Sequence, residues 1–216
     1  AWHESGRAVR NRYLTNSAAD SLRCARYVAD SDRDAVRLSR QGDYPEGELL
    51  VTAATDEDGR LSYTFHDKGG QSVLIRRMNG SEALDTYYVY DACGLLRAVL
   101  PPKASAMLES QTGALDMSSA TVADLTYLYR YDRRGRPVGV RRPGAQEVRY
   151  LYDDTDRPVF SQDGVQRRSG EWSYSIPDAL GREVLRGTCK TLGGANLAQS
   201  LLDGKTLVAR YDGSSG

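Results

Sequence analysis

Residues 129–144 read YRYDRRGRPVGVRRPG. Tyr129 and Tyr131 alternate with other residues up to Asp132, Gly135 follows three places later, and apolar residues then alternate again. Successive side chains of a strand point to opposite faces, so period two is a strand signature. Aspartate first and glycine fourth in a four-residue turn fit a type I turn, in which glycine takes a positive φ at no steric cost. The stretch is therefore expected to be a β-hairpin.

The same grammar recurs along the chain. Aligned on the aspartate, five copies appear: YTFHDKGGQSV (Asp67), YVYDACGLL (Asp91), YRYDRRGRPV (Asp132), YLYDDTDRPV (Asp153) and YSIPDALGREV (Asp178). The aspartates are 24, 41, 21 and 25 residues apart. Gly70, Gly94, Gly135 and Gly181 follow at the third place, where the fourth copy has Asp156. Thr86, Tyr88 and Tyr90 share one strand face, as do Tyr127, Tyr129 and Tyr131, and Val148, Tyr150 and Tyr152; these tyrosines are expected to be packing residues. In the first and last copies the apolar row slips by one, to Leu61, Tyr63 and Phe65 and to Trp172, Tyr174 and Ile176, a slip that a bulge or altered turn would absorb. Val73, Val138, Val159 and Val184 each lie three places past the glycine position, whereas the second copy alternates Leu96, Ala98 and Leu100. Pro137 and Pro158 cannot donate ladder bonds and belong at strand starts or edges. A lone hairpin is marginal in water, so each copy must pair with its neighbours.

Composition agrees with an all-β chain. Fourteen tyrosines stand against two phenylalanines and two tryptophans, and tyrosine suits half-buried sheet faces with a wet outer edge. Lys plus Arg equals Asp plus Glu at 29 each, which disfavours a general nucleic-acid binder, since neutralising phosphates needs a basic surplus. No apolar run approaches the roughly 20 residues of a membrane span. Cys24, Cys93 and Cys189 lie far apart and make neither a zinc cluster nor a disulfide framework. The opening Ala-Trp-His reads as an internal fragment of a longer chain, so a missing leader says little about compartment.

The repeated pattern, Tyr/Phe-x-Tyr/Phe/Ile-Asp-x-x-Gly-Arg/Leu-x-Val at a pitch near 20–25 residues, resembles the YD repeat of Rhs (rearrangement hot spot) proteins. The runs DEDGRLSYTFHDKGGQSVLIRRMNG, DTYYVYDACGLLRAVLPP and YLYRYDRRGRPVGVRRPGAQEVRYLYDDTDRPVFSQDG are especially similar to large Rhs-repeat proteins of Bacteroides-type bacteria, from about Thr55 to Gly187. The resemblance implies antiparallel hairpins forming one curved, continuous meander sheet, a section of a hollow β-shell that in characterised relatives encloses a toxic C-terminal segment. It implies a secreted or cell-surface setting, no cofactor, and partners within the same polypeptide. The family's self-cleaving module carries D-P-x-G motifs; here no D-P occurs, and SIPDALG reverses the order. No catalytic residue is carried over.

Three regions follow: an N-terminal β region over 1–54, the repeats over 55–187, and a truncated further hairpin, LDGKTLVARYDG, within 188–216. Residues 101–126 read as a partly helical insertion on the sheet surface or rim. Pro101 and Pro102 stop a strand before KASAMLES, and Ser118 or Ser119 is placed to cap a second short helix. Around Leu22–Val28 a helix and a strand are both open.

Residues that invite chemistry have plainer readings. Asp56, Glu57 and Asp58, and Asp153, Asp154 and Asp156, would offer oxygens to calcium, but neither run continues into the full loop pattern, and acidic residues are ordinary in turns. The arginines at 133, 134, 136, 141, 142 and 149 read as a solvated face paired across strands. His3 and His66 are too separated for a metal site, and no nucleophile elbow or Cys–His pairing appears. The functional residues expected are structural: Tyr88, Tyr90, Asp91, Gly94, Tyr129, Tyr131, Asp132, Gly135, Tyr150, Tyr152, Asp153, Asp178 and Gly181. A second reading makes the chain a carbohydrate-binding module that stacks a cell-surface glycan on Tyr87, Trp172 or Trp2. A hydrolase is a third, with nothing selecting a carboxylate pair. Unpaired edge strands predict self-association.

Overall fold

The computed structural model describes residues 9–30, 32, 35–115, 117 and 120–209. The fold is all-β. The first strands are β1 (Arg10–Thr15), β2 (Ala25–Ala29), β3 (Leu38–Asp43), β4 (Leu50–Thr55), β5 (Leu61–His66), β6 (Ser72–Asn79), β7 (Glu82–Tyr90) and β8 (Leu96–Leu100). After them come β9 (Gly113–Leu115), β10 (Tyr127–Tyr131), β11 (Pro137–Arg141), β12 (Val148–Tyr152), β13 (Pro158–Gln162), β14 (Trp172–Pro177) and β15 (Glu183–Cys189). Helices are short: α1 (Pro102–Leu108), α2 (Ala120–Ala123), α3 (Gly164–Ser169) and α4 (Gln199–Leu202). Twelve strands form one sheet in the order β1-β4-β5-β6-β7-β8-β10-β11-β12-β13-β14-β15, and β2-β3-β9 form another. Every pairing with a resolved register is antiparallel. The chain divides into two compact units, Ala1–Leu128 and Tyr129–Gly216.

In the first unit a row of apolar residues runs across six strands. Leu14 faces Val51, Val51 faces Phe65, Phe65 faces Leu74, Leu74 faces Tyr87 and Tyr87 faces Leu100. All but Leu14 are buried, and each such side chain is worth roughly 1.5–3 kcal/mol when fully removed from water. The cover comes from β2, β3, β9 and α1, through Tyr27, Leu38, Leu115, Ala104 and Leu108. The open choice near Leu22–Val28 is thus resolved as strand. The insertion is not a surface feature: Ala104, Leu108, Leu115, Met117 and Val122 belong to the main core. Pro101, extended, ends β8, and Pro102 opens α1, where its missing N–H costs nothing. The two serines proposed as caps for α2 lie outside the described residues.

In the second unit Val159 and Phe160 are buried with Leu197 and Leu202, and Leu151, Trp172 and Tyr174 pack around them. Within 188–216 a short hairpin pairs Thr191–Leu192 with Ala195–Asn196, while of LDGKTLVARYDG the described residues 205–209 form no strand. They run beside the turns instead, with Asp154 N–H donating to Lys205 O at 2.9 Å and Ala209 N–H to Pro177 O at 2.9 Å. Residues 210–216 of that expectation lie outside the described residues. Helix α3 was not foreseen; Asp163 and Gln166 close it with a capping box.

Candidate functional site: clasped hairpin turns and a polar cleft

The aspartates anchor the turns through their side chains as well as their backbone. At Asp67, Asp91, Asp132, Asp153 and Asp178 the aspartate N–H donates to the carbonyl four residues on, and the N–H three residues on donates back. In all five, Oδ1 accepts the amides of the second and fourth residues after it, at 2.8–3.1 Å. A sixth copy, missed because Thr55 stands where the others carry an apolar, aromatic or His residue, is built identically on Asp56, with Gly59 and Arg60. Of its acidic run, Asp56 anchors the turn and Asp58 pairs with Arg60 at 3.3 Å. The signal was D-x-x-G-R.

In three of the four turns with arginine at the fourth place it returns to the aspartate's other oxygen: Arg136 to Asp132 at 2.6 Å, Arg157 to Asp153 at 2.7 Å, Arg182 to Asp178 at 2.8 Å; Arg60 instead reaches Asp58 at 3.3 Å. For Asp132 and Asp153 burial works to raise the carboxyl pKa, but the guanidinium and the turn amides outweigh it and hold both below the usual carboxylate range. Asp178 is lowered as well, first by the Arg182 side chain. Gly135 has φ 76°, and Asp156, in the same place, is the one non-glycine with a positive φ among the described residues, at 62°.

The valine three places past the glycine marks a bulge. The register shifts between Phe65 and His66, Val89 and Tyr90, Leu151 and Tyr152, and Ile176 and Pro177, so one extra residue of the return strand is inserted each time. That residue is Val73, Arg97, Val159 or Val184. Two residues then oppose one, and consecutive residues are buried together: Val73 with Leu74, Arg97 with Ala98, Val159 with Phe160. The second copy therefore keeps the bulge and fills it with Arg97, whose guanidinium, 1% exposed, pairs with Asp91 at 3.2 Å and donates to Asp32 O. The anticipated phase slip is corrected accordingly. The bulge occurs in copies with and without the slip, so it does not cause it; the copies differ only in which face carries the aromatics.

Two pairs of successive hairpins are clasped. Tyr90 O–H donates to Ser72 O at 3.2 Å, and Tyr152 O–H donates to Pro137 O at 2.8 Å. In both, the tyrosine before the aspartate reaches the fifth residue after the preceding aspartate. In return, the fourth residue of one turn reaches the next turn: Gln71 Nε2 to Gly94 O at 3.0 Å, and Arg136 to Asp156 at 2.8 Å. Tyr88, Tyr129, Tyr131 and Tyr150 are half-buried, as is Tyr90, and Tyr152 is buried with Arg136 over its ring at 4.7 Å. Thus the tyrosine row of β7 lies opposite the core row of Tyr87 and Val89.

The stacking residues fare differently. Tyr87 is 7% exposed and meets Tyr27 edge-to-face at 4.9 Å, so it is a core residue and no platform. Trp172 is half-buried against the second core. Trp2 and His3 lie outside the described residues, and His66 Nδ1 sits 3.2 Å from Ser72 Oγ. The three cysteines are free.

Beside Tyr87 the first unit holds a cleft of about 230 Å3. Its floor is the pair Arg76–Asp85, with Nε to Oδ1 at 2.8 Å and the second nitrogen to Oδ2 at 2.6 Å, both side chains largely buried. Arg76 also donates to Asp20 O at 2.8 Å. Arg40 on β3 donates to Asp43 at 3.0 Å. Burial pushes the Tyr27 hydroxyl up, against the pull of the Arg40 guanidinium, and burial does the same to Tyr87 and Cys24. Compared with known proteins, the chain matches no protein-family model and no curated protein.

Proposed function

We propose that the chain is a non-catalytic wall section of a secreted or cell-surface Rhs/YD-repeat protein, whose sheet encloses or displays a C-terminal part of the same polypeptide. The observation that carries this reading is the clasp found at two junctions, from the Asp67 turn to the Asp91 turn and from the Asp132 turn to the Asp153 turn, a device suited to repetition along an array. The open edges support it too. Strand β15 ends the sheet order with Val184 at 54% and Leu185 at 46% exposure, and β1 ends it with Tyr13 at 73%. Among the described residues β1 and β15 are the two ends of the sheet, and exposed edges of this kind favour pairing with further strands. An isolated copy of the segment would then self-associate through them. The turns fit this reading too: each repeat aspartate accepts two turn amides, and Asp91, Asp132, Asp153 and Asp178 also hold a guanidinium.

The test uses the natural full-length polypeptide with an epitope at its C-terminus, beside a form lacking residues 55–187. Limited proteolysis is expected to spare the tagged part in the intact protein and to cut it quickly in the deletion. Equal cleavage of the two would sink the wall reading.

A further inference from the structure

The cleft beside Tyr87 is not used by the turn array, and one of its groups lacks a partner. Arg40 Nε is buried without any hydrogen-bond acceptor, on a side chain only 10% exposed. A buried donor of this kind costs stability unless something in the site accepts from it. Three guanidiniums (Arg23, Arg40, Arg76) face four carboxylates (Asp20, Asp43, Asp85, Glu109) around the cleft. Asp43, Asp85 and Glu109 are already held by those arginines. The balance is a single negative charge, which disfavours an anion. The Tyr87 hydroxyl already donates to Asp85 Oδ2 at 3.4 Å; the Tyr27 hydroxyl, kept protonated by burial, and the spare guanidinium protons are donors, and the carboxylate oxygens are acceptors. At about 230 Å3 the space lies below the roughly 300–1,000 Å3 of drug-sized ligand sites. It admits one small ring rather than an extended chain.

We propose that this cleft binds a single neutral sugar ring, with one ring hydroxyl accepting from Arg40 Nε and the neighbouring hydroxyls bridging Tyr27 and the Arg76–Asp85 pair. The inference is independent of the wall reading, since it rests on β2, β3, β6 and β7 and not on the turns. It also relocates carbohydrate recognition from exposed aromatic platforms to a polar cleft.

The test is an amide NMR titration of this chain with glucose, galactose and N-acetylglucosamine, and in parallel with glucuronate and inorganic phosphate. A neutral hexose is expected to bind in the millimolar range and to move the resonances of Tyr27, Arg40 and Tyr87. Arg40→Gln and Tyr27→Phe should each weaken it at least about tenfold, about 1.4 kcal/mol. If Arg40→Gln does not fold, Tyr27→Phe decides, since it removes one oxygen and leaves the ring. A disaccharide ending in the preferred ring distinguishes the source: tighter binding identifies a glycan terminus, equal binding a free sugar. Preference for glucuronate or phosphate would overturn the proposal, as would no shift with any sugar or binding unchanged in both variants.

Discussion

Tyr152 donates its hydroxyl to the carbonyl of Pro137, the fifth residue after Asp132, at 2.8 Å. Tyr90 repeats this bond one hairpin pair earlier, on Ser72. The tyrosine before the aspartate thus fastens its hairpin to the previous one, and the ring fills the half-buried outer face of the sheet. Removing the hydroxyl alone isolates the bond: Tyr152→Phe and Tyr90→Phe should each cost about 1 kcal/mol, read as a lower urea midpoint at unchanged slope. Unchanged midpoints in both would remove the clasp from the account.

Gly135 tests the turn. Its φ of 76° lies in the left-handed region, where a β-branched side chain is strained, so Gly135→Val should destabilise by about 1 kcal/mol or more. Asp156→Gly is the counterpart. It relieves the same strain at φ 62° but removes the acceptor of Arg134 and Arg136, so it should be close to neutral. A large loss from Asp156→Gly together with none from Gly135→Val would contradict the turn geometry.

Much of this was legible in the sequence, and the parts that were not share a cause. The aspartate, the glycine and the alternation before them are local signals, and the hairpins follow from them. The valine past the glycine was visible, yet its meaning as a bulge required the register of the partner strand. Tyr87 was misplaced because the tyrosines of YVYD mark one face of β7, while its cover comes from β2 and α1, distant in sequence. For the same reason residues 101–126 read as a surface insertion: helices of seven and four residues carry too little periodicity to reveal which side is buried. The Asp56 run was legible as a turn, but the lack of an aromatic at Thr55 or Ala53 hid that it is a copy of the repeat. The cleft, assembled from separate segments, left no motif.

The Asp91–Arg97 pair is almost fully buried, with side chains 3% and 2% exposed. Asp91→Ala removes the Asp91 carboxylate from beside the buried guanidinium and should cost about 3 kcal/mol or more. Adding Arg97→Val, which restores the residue type that the other bulges use, should recover part of that loss. A double variant no more stable than the single one would argue against the bulge assignment.

Acid should weaken the second unit. Asp132, Asp153 and Glu147 have folded pKa values below their unfolded ones; burial opposes this in each, and arginine contacts, with turn amides for the aspartates, overcome it. The folded state then binds fewer protons than the unfolded state. The stabilisation is present above the unfolded values of about 4 and is lost as pH falls through the lower, folded ones. Urea midpoints should hold steady from neutral pH towards about 5 and drop below 4, with a shallower drop in Glu147→Gln. An identical acid slope in that variant would show that Glu147 contributes nothing.

The wall reading is tested most directly by electron cryo-microscopy of the natural polypeptide that contains this segment. The account predicts that β1 and β15 each pair with a further strand, that the sheet continues past both, and that the strand beyond β15 brings a hydroxyl or amide donor to the carbonyl of Glu183. Density in which β1 and β15 face solvent, with no enclosed or displayed C-terminal part, would contradict it.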